Sequence, residues 1–287
     1  MERIGIIGGS GVYELPGLVE KEKLSLTTPF GEPSGAFSVA EFQGREVVFL
    51  PRHGVHHSLS PSSINYRANI YGMKKLNVGW IISVSACGSL KEELKPLDFV
   101  VPLQFVDRTN QARTHTFFDQ GLVVHVGFSQ PVCSDIAQKL YHAGKKVEVN
   151  IHLGGTYINI EGPHFSTRAE SHLYRTWGMD IIGMTNMVEA RLAREAEICY
   201  ASLAAVTDYD CWHETEETVT VDVILDNLKK NVTNAKRVLQ EVIPNIPSER
   251  LCPCSQALKN AIVTPQEFIP QEVKDKLEII AGKYLKK

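Results

Sequence analysis

Residues 78–84 read VGWIISV, a near-continuous apolar run. A strand of this kind is covered on both faces, which is the situation of a parallel strand inside an α/β sheet rather than of a half-exposed hairpin. Residues 201–206 repeat the pattern. Shorter apolar runs at 4–7, 37–42, 47–50, 99–106, 153–160 and 181–184 alternate with stretches whose apolar residues recur at helical spacing, from Pro61 and at 131–143, 221–239 and 271–285. Strands alternating with helices over the whole length predict an α/β class, a single domain spanning residues 1–287. Its sheet is expected to be central, mixed and largely parallel, flanked by helices, with a helical extension from about residue 250. The polar run from Pro16 to Pro33 reads as loop.

Composition enters mainly through what it excludes. A formal charge of −3, with the basic residues scattered, gives no footing for nucleic-acid binding. No run of 18 apolar residues is present and Met1-Glu2-Arg3 leads straight into a strand, so no membrane partner and a cytoplasmic location are expected. The six cysteines, Cys87, Cys133, Cys199, Cys211, Cys252 and Cys254, show no C-x-x-C and no repeated metal spacing. The three histidines of Arg52-His53-Gly54-Val55-His56-His57 lack cysteine or acidic neighbours at ligand spacing, so no metal site is expected.

The chemistry-bearing residues gather where the apolar runs stop. The 201–206 run ends in Thr207-Asp208-Tyr209-Asp210-Cys211-Trp212, two carboxylates interleaved with aromatics. Either Asp208 caps a turn and Asp210 meets solvent, or the pair forms a site at the carboxyl end of a strand, where open α/β sheets place ligands. Two acceptors beside aromatic rings suit a flat ring bearing an amino group. Gly8-Gly9-Ser10-Gly11 ends the first run without the spacing of a dinucleotide fingerprint. It is either a tight turn or a small anion nest of backbone N–H groups. Arg52 is a surface ion pair or a fork for an oxyanion. Ser85-Ala86-Cys87-Gly88-Ser89 is a third strand end of small residues and hydroxyls. Convergence of Ser10, Arg52 and Ser85 would form a pocket for a tetrahedral anion. Phe165, in Glu161-Gly162-Pro163-His164-Phe165-Ser166-Thr167, is either core or a stacking ring.

These blocks, with Arg168-Ala169-Glu170 and Met184-Thr185, resemble the trimeric purine nucleoside phosphorylase family, most closely its S-methyl-5'-thioadenosine phosphorylase branch. The likeness runs from Ile4 to about Leu239. It implies phosphate contacts from Ser10, Arg52, His53, Ser85, the Ala86 backbone and Thr185, and a ribose contact from Met184. It implies base contacts from Phe165, Ser166, Asp208 and Asp210. The 5' substituent would meet Val221 and Ile224 of its own subunit and His125 of a neighbour in a homotrimer, or in a hexamer of two trimers. Inorganic phosphate would be the co-substrate, with no cofactor.

Ser10 and Ser85 stand where some members carry threonine, which keeps the hydroxyl. Asn186-Met187-Val188-Glu189 replaces a segment that often contains proline, and His164 stands where arginine can occur. The segment with Cys252-Pro253-Cys254 is similar to that of thermophilic relatives whose cysteines pair, so the resemblance implies a disulfide there.

The implied reaction is attack of phosphate on the anomeric carbon of 5'-methylthioadenosine, releasing adenine and 5-methylthioribose 1-phosphate. Ser10, Arg52, Thr185 and Asp208 carry the catalytic expectation. An ionised Asp208 would repel the lone pair of the purine imidazole nitrogen, so a raised pKa is expected at Asp208, with Asp210 accepting from the exocyclic amine. Two alternatives stand beside this: a purine nucleoside phosphorylase that is broader or prefers 6-oxopurines such as methylthioinosine, inosine or guanosine, and a nucleoside-binding protein without catalysis.

Overall fold

The computed structural model describes residues 1–110, 113–213 and 221–285; at Ser10 and at residues 221–225 it describes the backbone alone. Eleven strands join in one mixed sheet among these residues. They are β1 (Arg3–Gly8), β2 (Val19–Leu24), β3 (Phe37–Phe42), β4 (Arg45–Pro51), β5 (Val78–Ser89), β6 (Phe99–Val101), β7 (Gln104–Arg108), β8 (Ile151–Leu153), β9 (Thr156–Ile160), β10 (Ile181–Gly183) and β11 (Cys199–Asp208). The helices are α1 (Tyr66–Lys75), α2 (Ser134–Lys146), α3 (Arg168–Thr176), α4 (Asn186–Glu195), α5 (Val221–Val242), α6 (Gln271–Lys276) and α7 (Glu278–Ala281).

Strand β5 is the hub. It pairs in parallel with β1 on one edge and with β11 on the other, while its last residues pair antiparallel with β10. Period-2 alternation sends successive side chains to opposite faces. Ile4, Ile6, Trp80, Ile82, Leu203 and Ala205 pack with Ile136 and Leu140 of α2 and Val238 and Leu239 of α5. Ile7, Ile81 and Tyr200 face the other way, onto Ile70 and Met73 of α1 and Val188 and Leu192 of α4. Both faces are therefore covered, and the unbroken apolar runs follow from that. Leu203 is fully buried, so Leu203→Ala removes transfer energy and opens a cavity, a loss of about 3 kcal/mol.

Departures from the sequence reading have local causes. Strand β2, VEKEKL, falls in the stretch read as loop. It pairs only with β3, and its exposed charges are those that protect a sheet edge. The 99–106 run is divided into β6 and β7 around Pro102-Leu103, because proline cannot donate to a ladder. The 153–160 run divides at Gly154 and Gly155, whose φ values of 114° and 85° leave strand geometry. The C-terminal helix breaks into α6, α7 and a final 3-10 turn, with Leu277 between α6 and α7 at φ −103°. No helix among the described residues is long and apolar enough to cross a membrane.

Candidate active site

The sheet leaves an opening where β5 changes partners. Strand β1 accompanies β5 as far as the pair Ile7–Ser83, and β10 joins only at Ile182–Gly88. On that edge Val84 to Cys87 have no neighbouring strand, and a cavity of about 610 Å³ opens beside them. Ligands in open α/β sheets bind at such changes of strand order.

At one pole of the cavity Arg52, 2 % exposed, closes the gap between β1 and β5. Its Nη1 donates to the Val84 carbonyl at 2.9 Å and its Nη2 to the Ile7 carbonyl at 3.2 Å. Its Nε donates to Glu189 Oε1 at 2.5 Å and its Nη2 to Ser83 Oγ at 2.5 Å. Burial opposes the charge, but the Glu189 carboxylate holds the Arg52 pKa above its usual value. Among the described residues Nη1 donates only to the Val84 carbonyl, which leaves one of the five N–H groups of the guanidinium unspent. Glu189 also accepts from Ser83 Oγ and the Tyr200 hydroxyl, and Asn186 donates to Ser83, Tyr200 and Ser202. A buried carboxylate alone would be costly; this network supplies the partners it requires.

His53 stacks on His57 with ring centroids 4.2 Å apart. Its Nδ1 lies 2.9 Å from the Leu59 carbonyl, so Nδ1 carries the hydrogen and Nε2 a lone pair. Burial, helped by the Arg52 charge, lowers the His53 pKa to about 4, and the ring is neutral near pH 7. Ser85 Oγ is buried and has no hydrogen-bond partner among the described residues. Thr185 caps the start of α4, whose N-terminal end suits negative charge.

The other pole is the end of β11. Thr207 Oγ1 donates to Asp208 Oδ2 at 2.6 Å, and the Asp210 amide donates to Oδ1 at 2.8 Å. Asp210 takes a left-handed φ of 52°, uncommon for a residue with a side chain, and its amide is the one that meets Asp208. A Cβ on Gly88 would come within 3.1 Å of Asp208 Oδ1, a contact tight enough that the carboxylate would have to shift. Burial, reinforced by the Asp208 charge, raises the Asp210 pKa to about 6; the Ser171 hydroxyl beside it opposes the rise. Among the described residues neither Asp210 Oδ2 nor the buried Ser166 Oγ has a well-formed hydrogen bond. A carboxyl with a raised pKa therefore stands at this pole, at Asp210.

Along β5 and β11 the pair Ser85–Ala204 marks the oxyanion pole and Gly88–Asp208 the acidic pole. At a rise of 3.3 Å per residue the poles stand about 10 Å apart. Phe165, 57 % exposed, lies on the rim between them.

Of the residues singled out from sequence, Arg52, His53, Ser85, Ala86, Phe165, Ser166, Met184, Thr185, Asp208 and Asp210 all line this one cavity. The side chains of Ser10, Val221 and Ile224 lie outside the described residues. His125 does not line the cavity; it borders a separate surface cleft with Leu251, Cys252 and Gln256. Sequence reasoning misses the supports. Glu189 and Asn186 read in sequence only as helix residues, although their apolar neighbours Met187, Val188 and Ala190 signal a buried turn. Leu228, Val232 and Ala235 continue the stripe of Val221 and Ile224 along α5 and wall the cavity. Asn227 and Asn231 on that helix donate to the carbonyls of Thr207 and Val206, fastening α5 over the strand end. Arg113 clamps the Glu161 and Met184 carbonyls.

The cysteines need a correction. All six are free thiols, so Cys252 and Cys254 are not bonded to each other. The expectation of no metal site rests on chain spacing alone, and the fold brings Cys133, Cys199, Cys252 and Cys254 together in one cluster. Their chain separations hide this: the ligand atoms meet through the fold and not through local spacing.

A mixed, mostly parallel α/β sheet with one crevice holding an oxyanion pole and an acidic pole defines an enzyme of the phosphorylase type. The chain belongs to the phosphorylase superfamily, which it matches over residues 3–244, and within it to the S-methyl-5'-thioadenosine phosphorylases. It is 54 % identical to the S-methyl-5'-thioadenosine phosphorylase of Koribacter versatilis, over 98 % of this chain and 96 % of that one. A methylthioadenosine phosphorylase from an antarctic soil metagenomic library superposes with a TM-score of 0.92 at 48 % identity, covering 97 % of this chain and 98 % of the other. The methylthioadenosine phosphorylase of Schistosoma mansoni in complex with adenine superposes with a TM-score of 0.84 at 37 % identity, covering 90 % and 96 %.

Proposed function

We infer that the protein catalyses phosphorolysis of 5'-methylthioadenosine, giving adenine and 5-methylthioribose 1-phosphate. The observation that carries this is the meeting, in one cavity, of the Arg52–Ser85 pole with the Asp208–Asp210 pole at a nucleoside's distance, with no well-formed hydrogen bond from the described residues to Ser85 Oγ or Asp210 Oδ2. Buried polar atoms without partners mark places that a ligand fills.

In this reading phosphate takes the one free Arg52 N–H, Ser85 Oγ, the Ala86 amide, Thr185 and the Gly8–Ser10 turn. Its own proton donates to the His53 lone pair. So held, the anion lies beneath the anomeric carbon that Met184 helps to place, stabilises the cation that forms there and then bonds to it. Fixing both reactants in one cavity supplies much of the rate. The leaving purine gains electrons and must be protonated on its imidazole nitrogen. Asp208 and Asp210 divide this work between them. Asp208 accepts from the Thr207 hydroxyl and the Asp210 amide, and Asp210, with a pKa of about 6, is a carboxyl that can take up and pass on a proton. When ionised, Asp210 Oδ2 accepts from the 6-amino group, which a 6-oxopurine cannot offer. Phe165 stacks on the base and Ser166 pairs with its edge.

The apolar stripe of α5 suits a methylthio group at the 5' end. His125 borders a separate cleft and does not line the cavity of its own chain, which favours a homotrimer in which each copy's His125 closes a neighbour's site. No cofactor is required by this chemistry, and the cytoplasm is its natural location.

One observation supports a second specificity. Protonated Asp210 becomes a donor and can pair with a 6-oxo group, so methylthioinosine and inosine become better substrates at acid pH. The test is a panel of methylthioadenosine, adenosine, methylthioinosine, inosine and guanosine, each with and without phosphate. Base release from methylthioadenosine that proceeds equally well without phosphate refutes the assignment.

A further inference from the structure

Cys133 stands at the N-cap of α2, Cys199 opens β11, and Cys252 and Cys254 come from the connection that follows α5. Their four Sγ atoms all lie within 4.8 Å of one another, with Cys199 and Cys252 at 3.2 Å. We propose that these four cysteines form a structural Zn²⁺ site with a tetrathiolate shell.

The geometry is close to what zinc needs. With Zn–S bonds of about 2.3 Å, the sulfurs of a regular tetrahedron stand about 3.8 Å apart. The observed cluster needs only small side-chain rotations to reach that figure. Four sulfur ligands and no oxygen or nitrogen donor select a soft, tetrahedral ion. Four protein ligands also fill the coordination sphere, leaving none of the open positions that a catalytic zinc keeps. The place agrees: Cys133, Cys199 and Cys254 belong to the core packed between the sheet and helices α2 and α5, and none of the four lines the substrate cavity.

Bare thiols are weak hydrogen-bonders, and a core gains little from bringing four of them together from three distant segments. A metal explains the meeting. Binding releases up to four thiol protons and leaves a cluster of charge −2. The N-terminal end of the 13-residue α2 points at it through Cys133, and the Arg250 guanidinium lies beside Cys199, so positive potential is at hand. Cys252 is only half-buried and borders the surface cleft, which gives the ion a way in.

The consequence is mechanical. Zinc would tie the 252–254 connection to the first residues of β11, the strand that ends in Asp208. The same connection leads into the 256–262 segment, whose Ala261 carbonyl accepts from the His125 amide at 2.8 Å. One ion would thus brace both the acidic pole and the residue offered to a neighbouring subunit.

The full chain, produced with zinc in the medium and purified under reductant without chelator, should carry about one zinc per chain by elemental analysis. Replacing zinc by Co²⁺ should give thiolate-to-cobalt charge-transfer bands and the strong visible bands of a tetrahedral ion. Cys252→Ser, the half-buried member and the one least apt to disturb folding, should lose most of the metal while its circular dichroism stays that of the parent. Cys211→Ser should keep the full metal content. Zinc-free protein whose thiols all react with a thiol reagent after denaturation would overturn the proposal, as would peptide mapping that finds these cysteines joined in disulfides. Zinc retained undiminished by Cys252→Ser would overturn it too.

Discussion

Replacing Asp210 by asparagine should make the ligand-free protein more stable and a poorer judge of bases. The carboxyl moves from an ordinary value of 3.8 to about 6 on folding, so the folded state disfavours its charge. Roughly two decades of proton affinity correspond to about 3 kcal/mol. The pH dependence follows from the direction of the shift. A group raised on folding gives its full stabilisation below the unfolded pKa and loses it as pH rises through the folded one. Wild-type protein therefore forfeits this energy between about pH 4 and pH 6, while the Asp210→Asn variant has nothing to forfeit. The gain in thermal midpoint should be near zero at the acid end and grow to roughly 5 °C above pH 7. Glu195, raised by burial to about 7, titrates over the same range in both proteins and drops out of the difference. The measurement is paired thermal unfolding from about pH 4.5 to pH 8 without ligand. Parallel curves, separated by the same interval at every pH, would refute the account of Asp210 as a buried carboxyl short of donors. In activity the direction reverses: an amide can offer either an oxygen or an N–H to the ring, so kcat/KM for methylthioadenosine relative to methylthioinosine should fall at least tenfold, the ratio that corresponds to about 1.4 kcal/mol.

Other outcomes follow from the same geometry. Glu189→Gln leaves Arg52 as an uncompensated buried cation and should lower stability by about 3 kcal/mol; phosphate, which can then take that charge, should raise the variant's thermal midpoint more than the wild type's. An equal phosphate response in the two proteins argues that Glu189 does not restrain Arg52. Wild-type enzyme assayed from pH 8 to pH 5 should show its methylthioinosine-to-methylthioadenosine ratio rising as Asp210 protonates near about pH 6; a flat ratio removes the second specificity. Phe165→Ala takes a stacking face from the rim and should raise KM roughly tenfold with kcat little changed. His125→Ala should raise KM for methylthioadenosine more than for phosphate, and mixing it with an inactive Asp208→Asn chain should restore activity in mixed oligomers if each copy serves its neighbour's cavity.

What can be read from the chain alone divides along physical lines. Strands covered on both faces announce themselves, because burial on two sides removes polar residues; β5 and β11 are legible for that reason. The ends of those strands are legible too, since Ser85 and Asp208 interrupt apolar runs where no structural need calls for them. Strand β2 is invisible because an edge strand protects itself with charge and so imitates a loop. The supports behind the site are hidden by a different cause. Glu189 acts on Arg52 from 137 residues away, and its meaning depends on a β5 serine and a β11 tyrosine that only the folded sheet brings beside it. The geometry of the acidic pair is hidden for a related reason. Sequence shows two carboxyls two residues apart but not that a left-handed turn at Asp210 hands its backbone N–H to Asp208. The cysteines carry the point furthest. Spacing rules look for ligands on one hairpin or helix turn, whereas Cys133, Cys199 and the Cys252-Pro253-Cys254 pair meet only after α2, β11 and the C-terminal connection have docked. Local chemistry is readable at the strand ends; the charge balance that makes it work is a property of the assembled sheet.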